Sequence, residues 1–165
     1  MRIVLSLVSA AGLVGSIIVP AVSAEYLEGT PRQQSRAYSP AVITKSGTTV
    51  WLAGQMGVTD AEGHSLAGNF EGQVKEIFRQ FDITLKRAGG SVKDMVTMTV
   101  FINDPRNGDR FVAMRRDYFP DGNFPASALI TVSNFAVPGS LIEIQGVAVI
   151  PRCEDNNPPC HELLK

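Results

Sequence analysis

Four segments of this chain alternate in the two-residue rhythm of β-strands, and that rhythm restricts it to folds built around a sheet. Val50, Leu52 and Gly54 share one side of the first segment, and Val96, Met98, Val100 and Ile102 one side of the second. Ala126, Ala128, Ile130 and Val132 do so in the third, and Ile142, Ile144, Gly146 and Ala148 in the fourth. Successive side chains of a strand point to opposite faces, so each segment has one face that is apolar or small throughout. The other faces are mixed: Thr49, Trp51 and Ala53; Thr97, Thr99 and Phe101; Ser127, Leu129 and Thr131; Leu141, Glu143, Gln145 and Val147.

Two helical stripes can cover the apolar side. Phe70, Val74, Ile77, Phe81, Leu85 and Ala88 recur at spacings of three and four, and Gly89-Gly90 follows as a helix stop. Phe111, Met114, Tyr118 and Phe119 repeat the pattern over a shorter stretch, entered through Asp104-Pro105 with Asn107 as a candidate cap. Sheet-forming and helix-forming segments thus predict an α+β domain of two layers, a mixed sheet backed by two helices. Trp51, Phe101, Leu129, Leu141 and Val147 would leave an apolar patch on the second sheet face, and another copy of the same chain is its simplest cover.

The ends of the chain have a different character. After Arg2 come 22 uncharged residues closing on Ala21-Val22-Ser23-Ala24, so residues 1–24 are expected to be a secretory signal peptide cleaved before Glu25. An uncleaved anchor is the competing reading, because a stretch of that length could just span a bilayer. Export without a membrane attachment after cleavage is the expectation, to periplasm or to the outside medium. Residues 25–36 are polar and aperiodic and read as a flexible lead-in; the domain proper is expected over 37–151, and 152–165 form a tail.

Both cysteines, Cys153 and Cys160, lie in that tail and flank a run containing Asn156, Asn157, Pro158 and Pro159. In an exported protein such a pair reads as a disulfide, which would stabilise the tail by about 2.5 kcal/mol on the chain-entropy view. A metal site made of Cys153, Cys160 and His161 is the alternative, but the spacing matches no common zinc pattern. No metal or cofactor is expected: a glycine-rich phosphate loop is missing, and His64 sits in a turn-rich loop where exposure explains it. The chain has 15 Lys and Arg against 16 Asp and Glu, and losing Arg2 with the leader leaves 14 against 16. Nucleic-acid binding leans on a surplus of cations, so nucleic acid is not an expected partner.

Several pieces occur in an order that resembles one known family. Tyr38-Ser39-Pro40-Ala41-Val42 is followed by Leu52-Ala53-Gly54-Gln55, then by Ala88-Gly89-Gly90-Ser91 and the strand from Val96 to Asp104. Phe124-Pro125-Ala126-Ser127-Ala128-Leu129 then leads to the strand Leu141 to Val149. From Tyr38 to Val149 the chain resembles the Rid (YjgF-like) reactive-intermediate deaminases. The resemblance implies a chorismate-mutase-like fold and a homotrimer whose strands close an inner barrel, with small-molecule clefts between subunits.

Active members of that family hydrolyse 2-imino acids, which asks for a carboxylate anchor, a polarised imine and a positioned water. Carried onto this chain, the resemblance gives Glu143 as the catalytic carboxylate, Tyr38 as the aromatic at the cleft mouth and Gly54 as the polar turn. The family's carboxylate-binding arginine, in a stretch reading Pro-Ala-Arg-Ser, has Ser127 in its place. The family's usual Asn and Tyr on the second helix align with Val112 and Arg115. A serine donates one neutral hydrogen bond and no charge, so the expected ligand is a small imine or enamine lacking the usual carboxylate, unless Arg115 or Arg116 reaches in. A non-catalytic small-ligand-binding module of the same fold is the alternative. The ribonuclease activity sometimes attached to the family is disfavoured by the acidic balance and the export signal.

Overall fold

Strands β3 (Thr48–Gln55), β4 (Met95–Ile102), β5 (Ala126–Thr131) and β6 (Ile142–Ile150) pair into one mixed sheet in the order β3-β6-β4-β5. The computed structural model describes residues 24–151. The expected leader, apart from Ala24, and the tail with Cys153 and Cys160 lie outside the described residues. β6 runs antiparallel to both β3 and β4, and β4 runs parallel to β5. A parallel pair needs a crossover, and helix α3 (Asn107–Tyr118) supplies it. Helix α2 (Phe70–Arg87) lies beside α3, and both cover one sheet face. This is the expected two-layer α+β architecture.

The core forms where the two periodicities meet. Phe70, Val74, Ile77, Phe81 and Leu85 of α2 are buried against Met98, Val100 and Ile102 of β4 and Ile142, Ile144 and Ala148 of β6. α2 begins at Asn69, whose side chain accepts from the Gly72 backbone N–H. It ends in a Schellman motif: Gly89 takes φ +84°, its N–H donates to the Lys86 carbonyl, and the Gly90 N–H donates to the Leu85 carbonyl. The Tyr118 ring stacks on Phe78 at 3.8 Å between centroids and locks α3 to α2. Asn107 is the first residue of α3 rather than its cap; the entry is an Asx turn in which Asp104 Oδ1 accepts from the Arg106 N–H.

Two face assignments reverse: the irregular pairing of β3 between Leu52 and Gln55 turns Gly54 away from the face of Leu52 and toward Glu143, and β5 turns over as a whole. In β5 the expected inward residues Ala128 and Ile130 are exposed, Ile130 by 43%, while Leu129 packs against the core. Both sides of this segment carry residues of similar size, so alternation alone does not choose between them. The parallel register does: Ser127 lies level with Met98 and Leu129 with Val100, on the helix side. The patch on the other face accordingly contains Trp51, Phe101, Ile130 and Val147, whereas Leu129 and Leu141 turn to the core.

The lead-in is also more ordered than its composition suggests. β1 (Ala24–Tyr26) pairs with β2 (Val42–Thr44), and α1 (Pro31–Ser35) lies between them in the chain. Helix α1 is started by Thr30, which forms a capping box with Gln33, and by Pro31 in its first turn. These are local backbone devices that leave no apolar period to detect. The Tyr26 hydroxyl donates to the Met95 carbonyl at 3.1 Å and fastens this segment to the domain.

Candidate functional site

Strand β5 is an edge of the sheet, and the chain segment that leaves α1 runs alongside it: Ser39 bridges to Ala126 in parallel. That segment exits α1 through Ala37, a buried non-glycine residue at φ +54°. The Ala37 N–H donates to the Gln34 carbonyl and the Tyr38 N–H to the Gln33 carbonyl, so the turn directs Tyr38 toward β5. A cavity of about 180 Å³ results, lined by Arg36, Tyr38, Val112, Arg115, Ser127 and Leu129.

The floor of this cavity is cationic. Arg115 is 3% exposed, because it sits one helical turn after the buried Phe111 and shares its face; its guanidinium lies 5.2 Å from the Phe111 ring centre. Nη1 donates to the Ser127 hydroxyl at 2.7 Å and Nη2 to the Arg36 carbonyl at 2.6 Å. Nε has no partner. Burial, and then the charges of Arg36 and Arg116, push the guanidinium down to about 10, so it is still protonated at neutral pH. Arg116 donates to the Gln34 and Ser35 carbonyls, and Arg36 pairs with Asp109. The arginines of α3 thereby satisfy the free carbonyls at the end of α1, where cations are favoured.

A second cluster occupies the other face of the sheet. Glu143 stands opposite Phe101 in β6, on the side away from the helices, and is half-buried. Its carboxylate rests on Gly54, where β3 departs from regular pairing between Leu52 and Gln55. A methyl on Gly54 would overlap that carboxylate, so the bare backbone is what admits it. Trp51, 80% exposed, lies on the same face.

The structure therefore brings Tyr38 together with Ser127, and Gly54 together with Glu143, but it puts the two pairs on opposite faces of one sheet. Sequence reasoning had weighed Arg115 and missed Arg36 and Leu129. The i to i+4 spacing of Phe111 and Arg115 was the available signal for a buried arginine. Elsewhere, a depression of about 830 Å³ near the start of α2 contains Glu71, Asp104, Arg106 and Arg110. Arg110 pairs with Glu71 and Arg106 with Asp104, so its charges are mutually neutralised and it holds none of the expected site residues. His64 is exposed, as expected, with Nδ1 3.2 Å from Asp60.

Comparison with known proteins agrees with this fold. Residues 30–150 match the family described as Endoribonuclease L-PSP. The 2-iminobutanoate/2-iminopropanoate deaminase of Dermatophagoides farinae is 27% identical over 116 residues, covering 68% of this chain and 85% of that one. The 3-aminoacrylate deaminase RutC of Acinetobacter baylyi is 29% identical over 121 residues, 73% of this chain and 92% of that one. Among solved structures, the Rid-family protein YyfB of Yersinia pestis superposes with a TM-score of 0.70 at 23% identity, covering 78% of this chain and all of that one. With its sequence pieces in order, its mixed sheet and helices in place and a family match across the described domain, the chain belongs to the Rid (YjgF-like) family.

Proposed function

We propose that this protein is an exported Rid-type deaminase that works as a homotrimer, each cleft combining the Tyr38–Arg115–Ser127 pocket of one copy with the Gly54–Glu143 cluster of the next. Similar proteins are named as deaminases of 2-iminobutanoate, 2-iminopropanoate and 3-aminoacrylate, which supports small imines and enamines as candidate substrates. The observation that carries the proposal is Glu143 seated on Gly54 on a sheet face that also displays Trp51 and Ile130. A catalytic carboxylate on a bare apolar surface makes physical sense once another copy covers it and excludes bulk water.

In the reaction, a water oxygen attacks the imine carbon and forms a C–O bond. Glu143 orients the water, accepts one of its protons and passes it to nitrogen as the C=N π bond breaks, giving a carbinolamine. The carboxylate then takes the hydroxyl proton and passes it to the same nitrogen, so that the C–N bond breaks, the C=O bond forms and ammonia leaves with a ketone behind. The half-buried Tyr38 closes one wall of the pocket. The test is ammonia release from freshly generated 2-iminobutanoate by the mature protein. Turnover that disappears in Glu143→Gln supports the proposal, whereas turnover unaffected by that change, or none in the native protein, rejects it.

A further inference from the structure

The charge on Arg115 is left without an anion. Its donors reach the Ser127 hydroxyl, the Arg36 carbonyl and, at 3.9 Å, the Met98 sulfur, and among the described residues no carboxylate pairs with it. Neutral oxygens orient a guanidinium but do not balance it, and a buried cation without a counter-ion is strongly disfavoured. The charges nearest to it, Arg36 and Arg116, have the same sign. Arg36 is compensated by Asp109 and Arg116 wraps carbonyl oxygens, so the uncompensated charge on the cavity floor belongs to Arg115. A cavity of about 180 Å³ has the volume of about six liquid waters, enough for the carboxylate end of a short acid whose remainder extends toward the cleft mouth.

We propose that Arg115, projecting from α3, binds the carboxylate of a short anionic substrate, and that Ser127 is a positioning residue that holds the guanidinium toward the cavity. The cation that the family takes from the β5 strand would here arrive from the facing helix, an exchange of partners across the same pocket. On this proposal the alternative in which Arg115 reaches in is the one that applies, and the substrate keeps its carboxylate: serine is small enough to leave the guanidinium its place. A guanidinium suits this role because its planar fork can grip both carboxylate oxygens. The choice of an imino acid as that substrate rests on the deaminase reading above; the binding of a carboxylate does not.

The experiment titrates 2-oxobutanoate, a stable keto analogue, and its neutral amide against the native protein and the Arg115→Gln, Arg115→Lys and Ser127→Ala variants, by calorimetry or NMR. The native protein is expected to bind the carboxylate. Arg115→Gln should weaken it about a hundredfold, Arg115→Lys about tenfold or less, and Ser127→Ala by a few fold, with amide binding unchanged throughout. Equal loss of acid and amide would mark Arg115 as a structural clamp on α1 and overturn the proposal, as would unchanged acid binding in Arg115→Gln or none in the native protein. Should Arg115→Gln fail to fold, the exchange of Ser127→Arg with Arg115→Tyr carries the test: carboxylate binding is expected to return in the double variant and to be poorer in Ser127→Arg alone, where two guanidiniums would crowd one site. An equal response of the double and single variants would overturn the proposal. Carboxylate binding through Arg115 with no ammonia released from 2-iminobutanoate would keep this inference and reject the deaminase reading; deamination of a neutral imine by a protein that ignores 2-oxobutanoate would do the reverse.

Discussion

Replacing Gly54 by alanine isolates the position of the Glu143 carboxylate from everything else in the domain. Gly54 does not need the left-handed backbone region reserved for glycine, so an alanine is accommodated by the main chain itself. The added methyl, however, would overlap the Glu143 carboxylate oxygen and lie 3.1 Å from its Cδ. Ordinary carbon contacts start near about 3.5 Å, so the carboxylate has to swing aside by about 1 Å. If Glu143 aligns water with an imine as proposed, a displacement of that size costs about a hundredfold in kcat/KM, or about 2.7 kcal/mol in the barrier. Stability should move little, about 1 kcal/mol or a few degrees in Tm, because Gly54 is on a sheet face and not in the core. Ammonia release from 2-iminobutanoate, read beside thermal unfolding, checks both halves. Native-like turnover in Gly54→Ala, or a loss of turnover that merely follows a loss of folding, would refute the reasoning.

Other expectations concern the scaffold. The buried Gln73 side chain donates to the Leu66 and Gly139 carbonyls at 2.9 and 2.8 Å and accepts from the Leu141 N–H at 2.8 Å, so Gln73→Leu should cost about 2 to 4 kcal/mol in urea unfolding by leaving all three unpaired. The Glu76 carboxyl is held below its usual value chiefly by the Arg79 hydrogen bonds, with Gln80 assisting against the opposing effect of burial. A depressed folded value gives stability that is present above the unfolded carboxyl range and lost as pH falls through the folded one. Glu76→Gln should therefore destabilise by about 1 kcal/mol at neutral pH, discounted for the half-exposed Arg79, and by progressively less below about pH 4. Covering Trp51 in an assembly would contribute about 4 kcal/mol per subunit before entropic costs, so Trp51→Glu should yield monomers by analytical ultracentrifugation at micromolar concentration.

The helices, β4, β6 and β3 as far as Leu52 were legible because one residue pattern, apolar on one side, matches one environment; beyond Leu52 the irregular pairing of β3 turns Gly54 to the other face. Phe70 to Leu85 and Met98 to Ile102 are buried as their spacing requires. Strand β5 was misassigned because Ala126, Ala128 and Ile130 on one side resemble Leu129 on the other in size, and only its register with β4 distinguishes them. Helix α1 escaped notice because a capping box and a proline, not a stripe, define it. The site was half legible: Glu143 and Gly54 could be placed together from the resemblance, and so could Tyr38 and Ser127. The contact of Arg115 with Ser127 was not legible, since a buried arginine and a solvated one look alike until the facing strand is known. Opposite faces of a sheet are likewise invisible in a register that alternation alone leaves open.

The central claim is that the two half-sites of each cleft come from different copies of the chain, and complementation measures this directly. Glu143→Gln, inactive alone, and Arg115→Gln, impaired about a hundredfold alone at limiting substrate, are unfolded together, refolded as an equal mixture and assayed for ammonia release from limiting 2-iminobutanoate. If the clefts lie between copies, random assembly places an intact Glu143 half-site against an intact Arg115 half-site in about a quarter of them, and about a quarter of native activity should return. Activity no greater than the average of the two parents would show that both residues must belong to one chain, and would contradict the account.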